Sequence, residues 1–270
     1  MMRKQTLDQL VASGEKIAML TCYDATFAKV CAAAGVDMLL VGDSLGMVLQ
    51  GAENTLQVTM QDMIYHTRCV AAGAPETLIM TDMPFGSYEH DKEDACRNAQ
   101  ALLDAGADIV KIEGGGLVET TRYLAERGIP VCAHLGFTPQ SVQQLGGYKI
   151  QGKTEESARK ITQDAIDMSA AGACMILFEM MPAALAGHIT ETIKTPTIGI
   201  GAGVDCSGQV LVIQDLLGIY TGVAGKNPAD YKAPRFARNF LAGSDSIQQA
   251  IADYVQAVKK KTFPAAEHSY

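Results

Sequence analysis

The sequence predicts an α/β protein of the (β/α)₈ barrel class, and three observations support this prediction. The chain has 270 residues, and about 250 is typical of such a barrel. One phrase, in which a helix ends in Ala-Gly and an apolar run then leads to an acid, occurs three times, ending at Asp43, Glu113 and Glu179. Eight apolar runs in total alternate with helical periodicities, which favours a closed barrel of parallel strands over an open sheet.

The individual elements follow from turn signals and periodicity. Glycine ends a helix because it tolerates the left-handed conformation, and the apolar run behind it predicts a strand. These runs are nearly continuous, as expected when both faces of a parallel sheet are covered. The predicted strands are Lys16–Asp24, the three runs that end at Asp43, Glu113 and Glu179, Thr77–Pro84, Ile129–Gly136, Thr195–Gly203 and Gln209–Asp215. Helical periodicity predicts helices over residues 25–35, 59–73, 92–106, 116–128 and 157–172.

Composition and charge narrow the class of protein. No composition break divides the chain, so we expect one barrel domain over residues 1–270, with a short N-terminal segment and a C-terminal helix. A net charge of −8 and a pI of about 5.1 give no electrostatic reason to expect a nucleic-acid or membrane partner. Seven cysteines are spread singly, which indicates reduced thiols and a cytoplasmic location. No signal peptide is evident, and Glu179 and Pro182 interrupt the most apolar window.

The stretch DIVKIEGG, residues 108–115, carries two charges inside a strand pattern. Alternate residues of a strand share a face, so Lys111 and Glu113 point the same way. Burying either charge alone costs several kcal/mol, so each needs a partner or a bound ion. A structural ion pair is one interpretation, and an active site is the other.

Polar residues collect at the carboxyl ends of the predicted strands, which meet on one face of a barrel. They are Asp24, Asp43 with Ser44, Asp82, Lys111 with Glu113, His134 and Glu179. Asp24 precedes a helical run and is better explained as a helix cap. Asp43 could cap a turn, Asp82 could open one, and His134 could be a buried core histidine. Together these structural explanations are poor, since several strands would have to place polar groups at one end by coincidence.

Carboxylates crowded at a barrel mouth repel one another unless cations neutralise them. Carboxylates without thiolates suit a hard ion such as Mg²⁺, and Asp43, Asp82 and Glu113 are the best candidate ligands. Such an ion beside Lys111 can acidify the C–H next to the ketone of a 2-oxo acid, through an enolate. Glu179 is one candidate for the base and His134 is another.

The motifs at these residues resemble those of the ketopantoate hydroxymethyltransferase family. The resemblance runs over essentially the whole chain, through TCYD, LLVGDSLGMVLQG, TLQVTMQDMIYHT, TDMPFGSY, VKIEGG, HLGFTPQSVQQLGGYKIQG, LFEMMP, IGIGAG and FPAAEHSY. It implies a barrel of the phosphoenolpyruvate/pyruvate superfamily. It also implies transfer of a hydroxymethyl group from 5,10-methylenetetrahydrofolate to 3-methyl-2-oxobutanoate, giving 2-dehydropantoate, the first step of pantothenate and coenzyme A biosynthesis.

The resemblance also implies roles for particular residues. Magnesium, one ion per subunit, would bind Asp43, Asp82 and Glu113, and the oxo acid would bind Asp43, Ser44, Asp82 and Lys111. Glu179 would be the proton acceptor, with His134 as an assisting group. The glycine-punctuated segment His134–Ser157 is expected to form an active-site loop, and family members assemble as homo-oligomers, commonly homodecamers.

Two alternative functions remain, one enzymatic and one not. A carbon–carbon lyase of the same superfamily would also use an oxo acid enolate, although the K-K-C-G-H lid motif typical of such lyases is missing from this sequence. A barrel that only binds a metabolite, or whose polar strand ends stabilise an oligomer, would show no turnover.

Overall fold

A closed barrel of eight parallel strands forms the centre of the protein, and the strands follow one another around it in sequence order. The computed structural model describes residues 6–223, 225 and 227–270. The strands are β1 (Ile17–Thr21), β2 (Met38–Val41), β3 (Leu78–Asp82), β4 (Ile109–Glu113), β5 (Val131–Gly136), β6 (Met175–Glu179), β7 (Thr197–Ile200) and β8 (Gly208–Leu211). Parallel pairing of β1 with β8 closes the barrel. The predicted fold class is therefore confirmed.

Helices surround the strands and cover their outer face. They are α1 (Leu7–Ala12), α2 (Ala25–Ala33), α3 (Leu45–Val48), α4 (Met60–Gly73), α5 (Lys92–Asp104), α6 (Val118–Ala125), α7 (Glu155–Ala170), α8 (Ala183–Thr192), α9 (Ile213–Leu216) and α10 (Ile247–Lys259). All residues of β1 to β4 are buried, which accounts for their nearly continuous apolar sequences. Among the described residues, no helix has the length and apolarity to cross a membrane.

The repeated Ala-Gly phrase forms the joint between a helix and the next strand, as the sequence predicts. Gly35, Gly106 and Gly172 end α2, α5 and α7 with φ values of 86°, 113° and 97°, a region that favours glycine. In the first two joints an aspartate follows shortly after. Asp37 accepts a hydrogen bond from the backbone N–H of Ala18, and Asp108 accepts one from that of Ile79, both at 2.8 Å. Each of these two aspartates thus fixes the start of its own strand against the preceding strand.

Two expectations about aspartates have different outcomes. Asp24 caps α2, since its Oδ1 accepts hydrogen bonds from the N–H groups of Thr26 and Phe27, as predicted. The predicted strand Gln209–Asp215 is wrong at its end, because β8 stops at Leu211 and Asp215 lies in α9. A short apolar run does not distinguish strand from helix by itself. Here the chain leaves the sheet where the N–H of Ile213 donates to the Thr21 hydroxyl at 2.9 Å.

The C-terminal helix α10 is attached to the strands that close the barrel. Tyr254 is fully buried, and its hydroxyl lies 2.9 Å from the carbonyl oxygen of Met19 in β1 and 3.0 Å from that of Gln209 in β8. Its ring packs against Phe240 and Phe263 at centroid distances of 5.6 and 5.8 Å. One side chain therefore joins α10 to both strands at the seam.

Replacing Tyr254 by phenylalanine keeps the ring packing and removes the hydroxyl donor at the seam. We expect the free energy of unfolding to fall by about 1 kcal/mol, the typical net value of one intramolecular hydrogen bond. Urea unfolding followed by circular dichroism measures the change. Tyr65→Phe is the matched control, because Tyr65 is 65% exposed and should change stability by less than about 0.5 kcal/mol. Equal effects of the two substitutions would contradict the role given to the seam hydrogen bonds.

Candidate active site

Consecutive strands β2 to β6 bring the predicted polar residues to one end of the barrel. Asp43 and Ser44 follow β2, Asp82 ends β3, Lys111 and Glu113 lie in β4, His134 lies in β5, and Glu179 ends β6. The register pairs Asp82 with Lys111, Glu113 with His134, and Gly136 with Glu179. All of the predicted site residues except Ser44 and Glu179 are buried. The structure thus brings together the six residues predicted from strand ends, along with Ser44.

Lys111 is the central cation of this cluster. Its Nζ lies 3.2 Å from Asp82 Oδ1, 3.4 Å from Glu113 Oε1 and 3.1 Å from His134 Nδ1. Burial by itself lowers the pKa of Lys111, but the carboxylates of Asp82, Glu113 and Asp43 outweigh burial and raise it above its usual value. The Lys111–Glu113 pair expected from the strand pattern is therefore present, as one contact within a larger charged network.

His134 lies between two carboxylates. Its Nδ1 is 3.2 Å from Glu113 Oε1, and its Nε2 is 3.3 Å from Glu179 Oε2. Burial and the Lys111 charge lower the pKa of His134, but the two glutamates outweigh them and raise this pKa to about 9. Burial raises the pKa of Glu113, whereas His134 and Lys111 lower it more strongly, to about 2. A core histidine bonded only to backbone groups is excluded by these contacts.

Asp43 and Asp82 are held together despite their like charges. The backbone N–H of Asp43 donates to Asp82 Oδ2 at 3.0 Å. Burial raises the pKa of Asp43, and the Asp82 and Glu113 charges raise it further. Burial also raises the pKa of Asp82, against the opposing charge of Lys111. Within the described part of the chain, Asp82 Oδ1 is buried and accepts no hydrogen bond of good geometry. Its cation neighbour is Lys111 Nζ, at 3.2 Å, which leaves lone pairs on the carboxylate available to a metal ion.

The donor set is compatible with a hard divalent ion. Three buried carboxylates, those of Asp43, Asp82 and Glu113, face one ammonium group, which leaves an excess of negative charge. Oxygen ligands of this kind suit Mg²⁺. Over residues 6–223, 225 and 227–270, however, no three His, Cys, Asp or Glu side chains are already arranged as a metal site. Lys111 Nζ lies between Asp82 and Glu113, so a cation bound by these carboxylates has to share their oxygens with it.

Gln140 and Tyr88 complete the cluster, and the strand-end pattern did not identify either of them. Gln140 lies in a 3-10 turn, Pro139–Ser141, after β5. Its side-chain amide donates to Asp43 Oδ2 at 2.8 Å, and its backbone N–H donates to Glu113 Oε2 at 2.9 Å. The Tyr88 hydroxyl donates to Gln140 Oε1 and accepts from the backbone N–H of Glu113. Both residues are buried. The sequence does not predict this burial, because both residues lie in loops without periodicity.

The predicted loop His134–Ser157 contributes through Gln140 and Tyr148. Gly136 allows its close approach to β6, because a Cβ at Gly136 would lie 2.4 Å from the carbonyl oxygen of Glu179, and φ there is 89°. Tyr148 packs on Phe137 with ring centroids 5.0 Å apart. Tyr148 and Glu179 both line a cavity of about 650 Å³ above the barrel. The loop is thus one wall of the site.

The cavity extends from the charged cluster to residues of the C-terminal quarter of the chain. Asp215, Tyr220, Tyr231, Phe236 and Tyr270 line its far side. The chain end folds over the barrel mouth, where the backbone N–H of Ala183 donates to the carbonyl oxygen of Tyr270 at 2.9 Å. The site is therefore much larger than the cluster of charged residues.

Comparison with known proteins identifies the family. The ketopantoate hydroxymethyltransferase family matches residues 1–266. The chain belongs to this family. A 3-methyl-2-oxobutanoate hydroxymethyltransferase of Methylobacillus flagellatus is 56% identical over 266 residues, covering 98% of each chain. One from Azoarcus sp. is 55% identical, covering 98% of this chain and 95% of the other. Membership of the ketopantoate hydroxymethyltransferase family makes the chain an enzyme, as predicted, and does not favour the lyase alternative.

Solved structures of more distant proteins share the fold. A phosphoenolpyruvate phosphomutase from Streptomyces platensis superposes with a TM-score of 0.60 at 12% identity, covering 78% of this chain and 82% of the other. A 2,3-dimethylmalate lyase of the PEP mutase/isocitrate lyase superfamily gives a TM-score of 0.57 at 16% identity, covering 76% and 79%. These similarities show the barrel fold.

Replacing Gln140 by leucine removes the donor to Asp43 and keeps the backbone N–H that binds Glu113. A hydrogen bond to a charged group contributes about 1.5–3 kcal/mol, so we expect kcat/KM for hydroxymethyl transfer to fall roughly 10- to 100-fold. Gln143→Leu is the control, since Gln143 is exposed on the same loop. Steady-state kinetics that show equal, small effects for both variants would contradict a positioning role for the Gln140 amide.

Proposed function

We propose that this site transfers a hydroxymethyl group from 5,10-methylenetetrahydrofolate to 3-methyl-2-oxobutanoate, giving 2-dehydropantoate. A proton leaves the carbon beside the ketone, and that carbon forms a bond with the methylene carbon. Both bonds from the methylene carbon to the folate, at N5 and at N10, break. A water molecule supplies the hydroxyl group, and its remaining proton and the proton taken from the oxo acid go to these two nitrogens. The proposal rests on a buried chain of contacts, Lys111–Glu113–His134–Glu179. It connects the ammonium group that would attract the oxo acid to a carboxylate that faces the cavity.

The oxo acid would bind at the polar end of the cavity. The Lys111 ammonium would attract its carboxylate, and Ser44, whose hydroxyl lies 2.9 Å from that of Tyr23, would offer a hydroxyl group. Asp43 and Asp82 would complete the substrate site. Asp43, Asp82 and Glu113 would also hold one Mg²⁺ per subunit. When bound, such an ion polarises the ketone and acidifies the neighbouring C–H.

Glu179 is the proposed proton acceptor. Its side chain is 14% exposed, whereas those of Glu113 and His134 are each 2% exposed, so Glu179 faces the cavity. His134 Nε2, at 3.3 Å from Glu179 Oε2, would orient the carboxylate and act as the assisting group. Its ring nitrogens already lie against Glu113 and Glu179, which supports this positioning role over a role as the base.

Several further predictions stay proposals. The chain would act as one domain over residues 1–270 in a homo-oligomer, a homodecamer being the form that the family resemblance implies. Native mass spectrometry would determine the number of subunits. We also propose a cytoplasmic location and small-molecule substrates, with no nucleic-acid or membrane partner, in keeping with the acidic net charge of −8.

Enolisation can be measured without the folate. In deuterated water with Mg²⁺, we expect the wild type to exchange the proton beside the ketone of 3-methyl-2-oxobutanoate, followed by NMR. Glu179→Gln removes the base and should slow exchange at least roughly 100-fold, the usual contribution of general base catalysis. Glu191→Gln, at an exposed glutamate, is the control.

Two results of the exchange experiment would count against the proposal. Exchange that survives in Glu179→Gln would assign the base elsewhere, with His134 as the first candidate. A folded, Mg²⁺-supplied wild type that exchanges nothing would overturn the proposed transfer mechanism.

Metal binding can be tested apart from activity. Titration with Mn²⁺, a paramagnetic ion that accepts the same oxygen ligands, reports affinity by electron paramagnetic resonance. Asp82→Asn removes the negative charge of this buried carboxylate and replaces one of its oxygens by an amide nitrogen, so it should weaken binding by at least roughly tenfold. Asp104→Asn, at an exposed aspartate of α5, should leave it unchanged. Equal Mn²⁺ affinity of Asp82→Asn and the wild type would remove Asp82 from the ligand set.

A further inference from the structure

The far side of the cavity has a chemistry different from that of the charged cluster. A small branched oxo acid fills only part of a volume of about 650 Å³, which is in the range that holds drug-sized ligands. The remaining part is lined by α9 and the segment that follows it, with Asp215, Tyr220 and Tyr231 as the polar groups. This part of the cavity has room for a second ligand.

Asp215 is a carboxylate with unused acceptor capacity. Its Oδ1 accepts one hydrogen bond, from the Tyr231 hydroxyl at 3.2 Å. Among the described residues no other side chain donates to this carboxylate, and no cation pairs with it. An ionised carboxylate has about four acceptor positions, so Tyr231 leaves most of them available. Burial raises the pKa of Asp215 to about 6, with the Tyr231 hydrogen bond opposing.

Tyr220 provides a second polar group with no partner. Its hydroxyl is buried and makes no hydrogen bond within the described part of the chain. The Tyr220 and Tyr231 rings meet edge to face, with centroids 5.1 Å apart and an interplanar angle of 78°. Asp215 is therefore flanked by two aromatic rings, a setting for a flat heterocycle with polar edges.

Tyr148 lines the same cavity as Asp215, Tyr220 and Glu179. Burial raises the pKa of Tyr148, and the carboxylates of Glu179 and Asp43 raise it further. Tyr148 itself is 57% exposed. A ligand bound at Asp215 can thus extend toward Glu179.

The charge of Asp215 determines which substrate suits this end. An oxo acid is an anion, and the Asp215 carboxylate, which pairs with no cation of the described residues, would repel it. A ligand with two adjacent N–H donors on a planar ring would instead match both carboxylate oxygens, as a guanidinium does. The 2-amino group and the ring N–H beside it give the pterin of a folate this donor edge.

We infer that Asp215 binds the 2-amino-pterin ring of the folate substrate, with Tyr220 and Tyr231 lining the ring site. This inference rests on the proposed function, because it assigns the second substrate of that reaction to the second half of the same cavity. Asp215, in α9, would be a binding residue on a different element of the cavity wall from the proton acceptor Glu179 at the end of β6.

The test uses tetrahydrofolate and its 2-desamino-2-methyl analogue, titrated calorimetrically under reducing conditions into the full-length protein. We expect the wild type to bind tetrahydrofolate roughly 10- to 100-fold more tightly than the analogue, since a charged hydrogen bond is lost. Asp215→Asn should weaken tetrahydrofolate binding by a similar factor and bind the two ligands with nearly equal affinity. Asp230→Asn removes the same charge from an exposed position on the same wall and should keep the discrimination.

A misfolded site would weaken the binding of both ligands by the same factor and leave their affinity ratio unchanged. Loss of discrimination in Asp215→Asn would therefore indicate direct recognition. A wild type that binds the two ligands equally would overturn the inference without any variant. So would an Asp215→Asn protein that retains wild-type affinity for tetrahydrofolate.

The failure of this inference is distinguishable from failure of the proposed function. Proton exchange of 3-methyl-2-oxobutanoate needs no folate, and Asp215→Asn should retain it at the wild-type rate, which also shows that the variant is folded. A wild type that forms no 2-dehydropantoate from both substrates would overturn the proposed function. Formation of 2-dehydropantoate without pterin discrimination would overturn the assignment of Asp215 alone.

Discussion

The burial of the Lys111 ammonium among carboxylates is the constraint on which the site depends. Without Asp82 and Glu113 the charge at Lys111 could not stay in the barrel interior, and without Lys111 the carboxylates would repel one another at short range. Each charge is tolerated because of the others, so the cluster behaves as a unit. The excess negative charge that remains after Lys111 is counted is the physical reason why the site suits a divalent cation.

The scaffold holds these charges through a layer of neutral polar groups. Gln140 contacts both Asp43 and Glu113, and Tyr88 contacts Gln140 and the backbone of Glu113, so residues from two connections of the barrel position the carboxylates together. The glycine at position 136 permits this arrangement by allowing the loop after β5 to cross the end of β6. Hydrogen bonds of this kind keep buried acceptors in place before any ligand arrives.

The cavity joins two chemically distinct halves, and this division matches a reaction with two different substrates. The end at β2 to β6 carries buried charge. The end formed by α9 and the segment after it is aromatic, and among the described residues its carboxylate, Asp215, is hydrogen-bonded only by the Tyr231 side chain. Distant structures with 12% and 16% identity share the barrel. A barrel of this kind fixes where strand ends meet, and the connections after the strands determine what can bind there.

The sequence by itself determined the barrel, because the Ala-Gly joints and apolar runs are local signals that recur along the chain. It also determined the polar strand ends from Asp43 to Glu179, since parallel strands must bring their carboxyl ends to one face. It did not determine the end of β8, where a short apolar run fits either strand or helix, and the predicted site does not include Asp215. Gln140 and Tyr88 lie in connections, where no periodicity indicates burial. Only the tertiary structure decided their contacts, because hydrogen bonds between residues far apart in sequence depend on how the loops pack over the barrel.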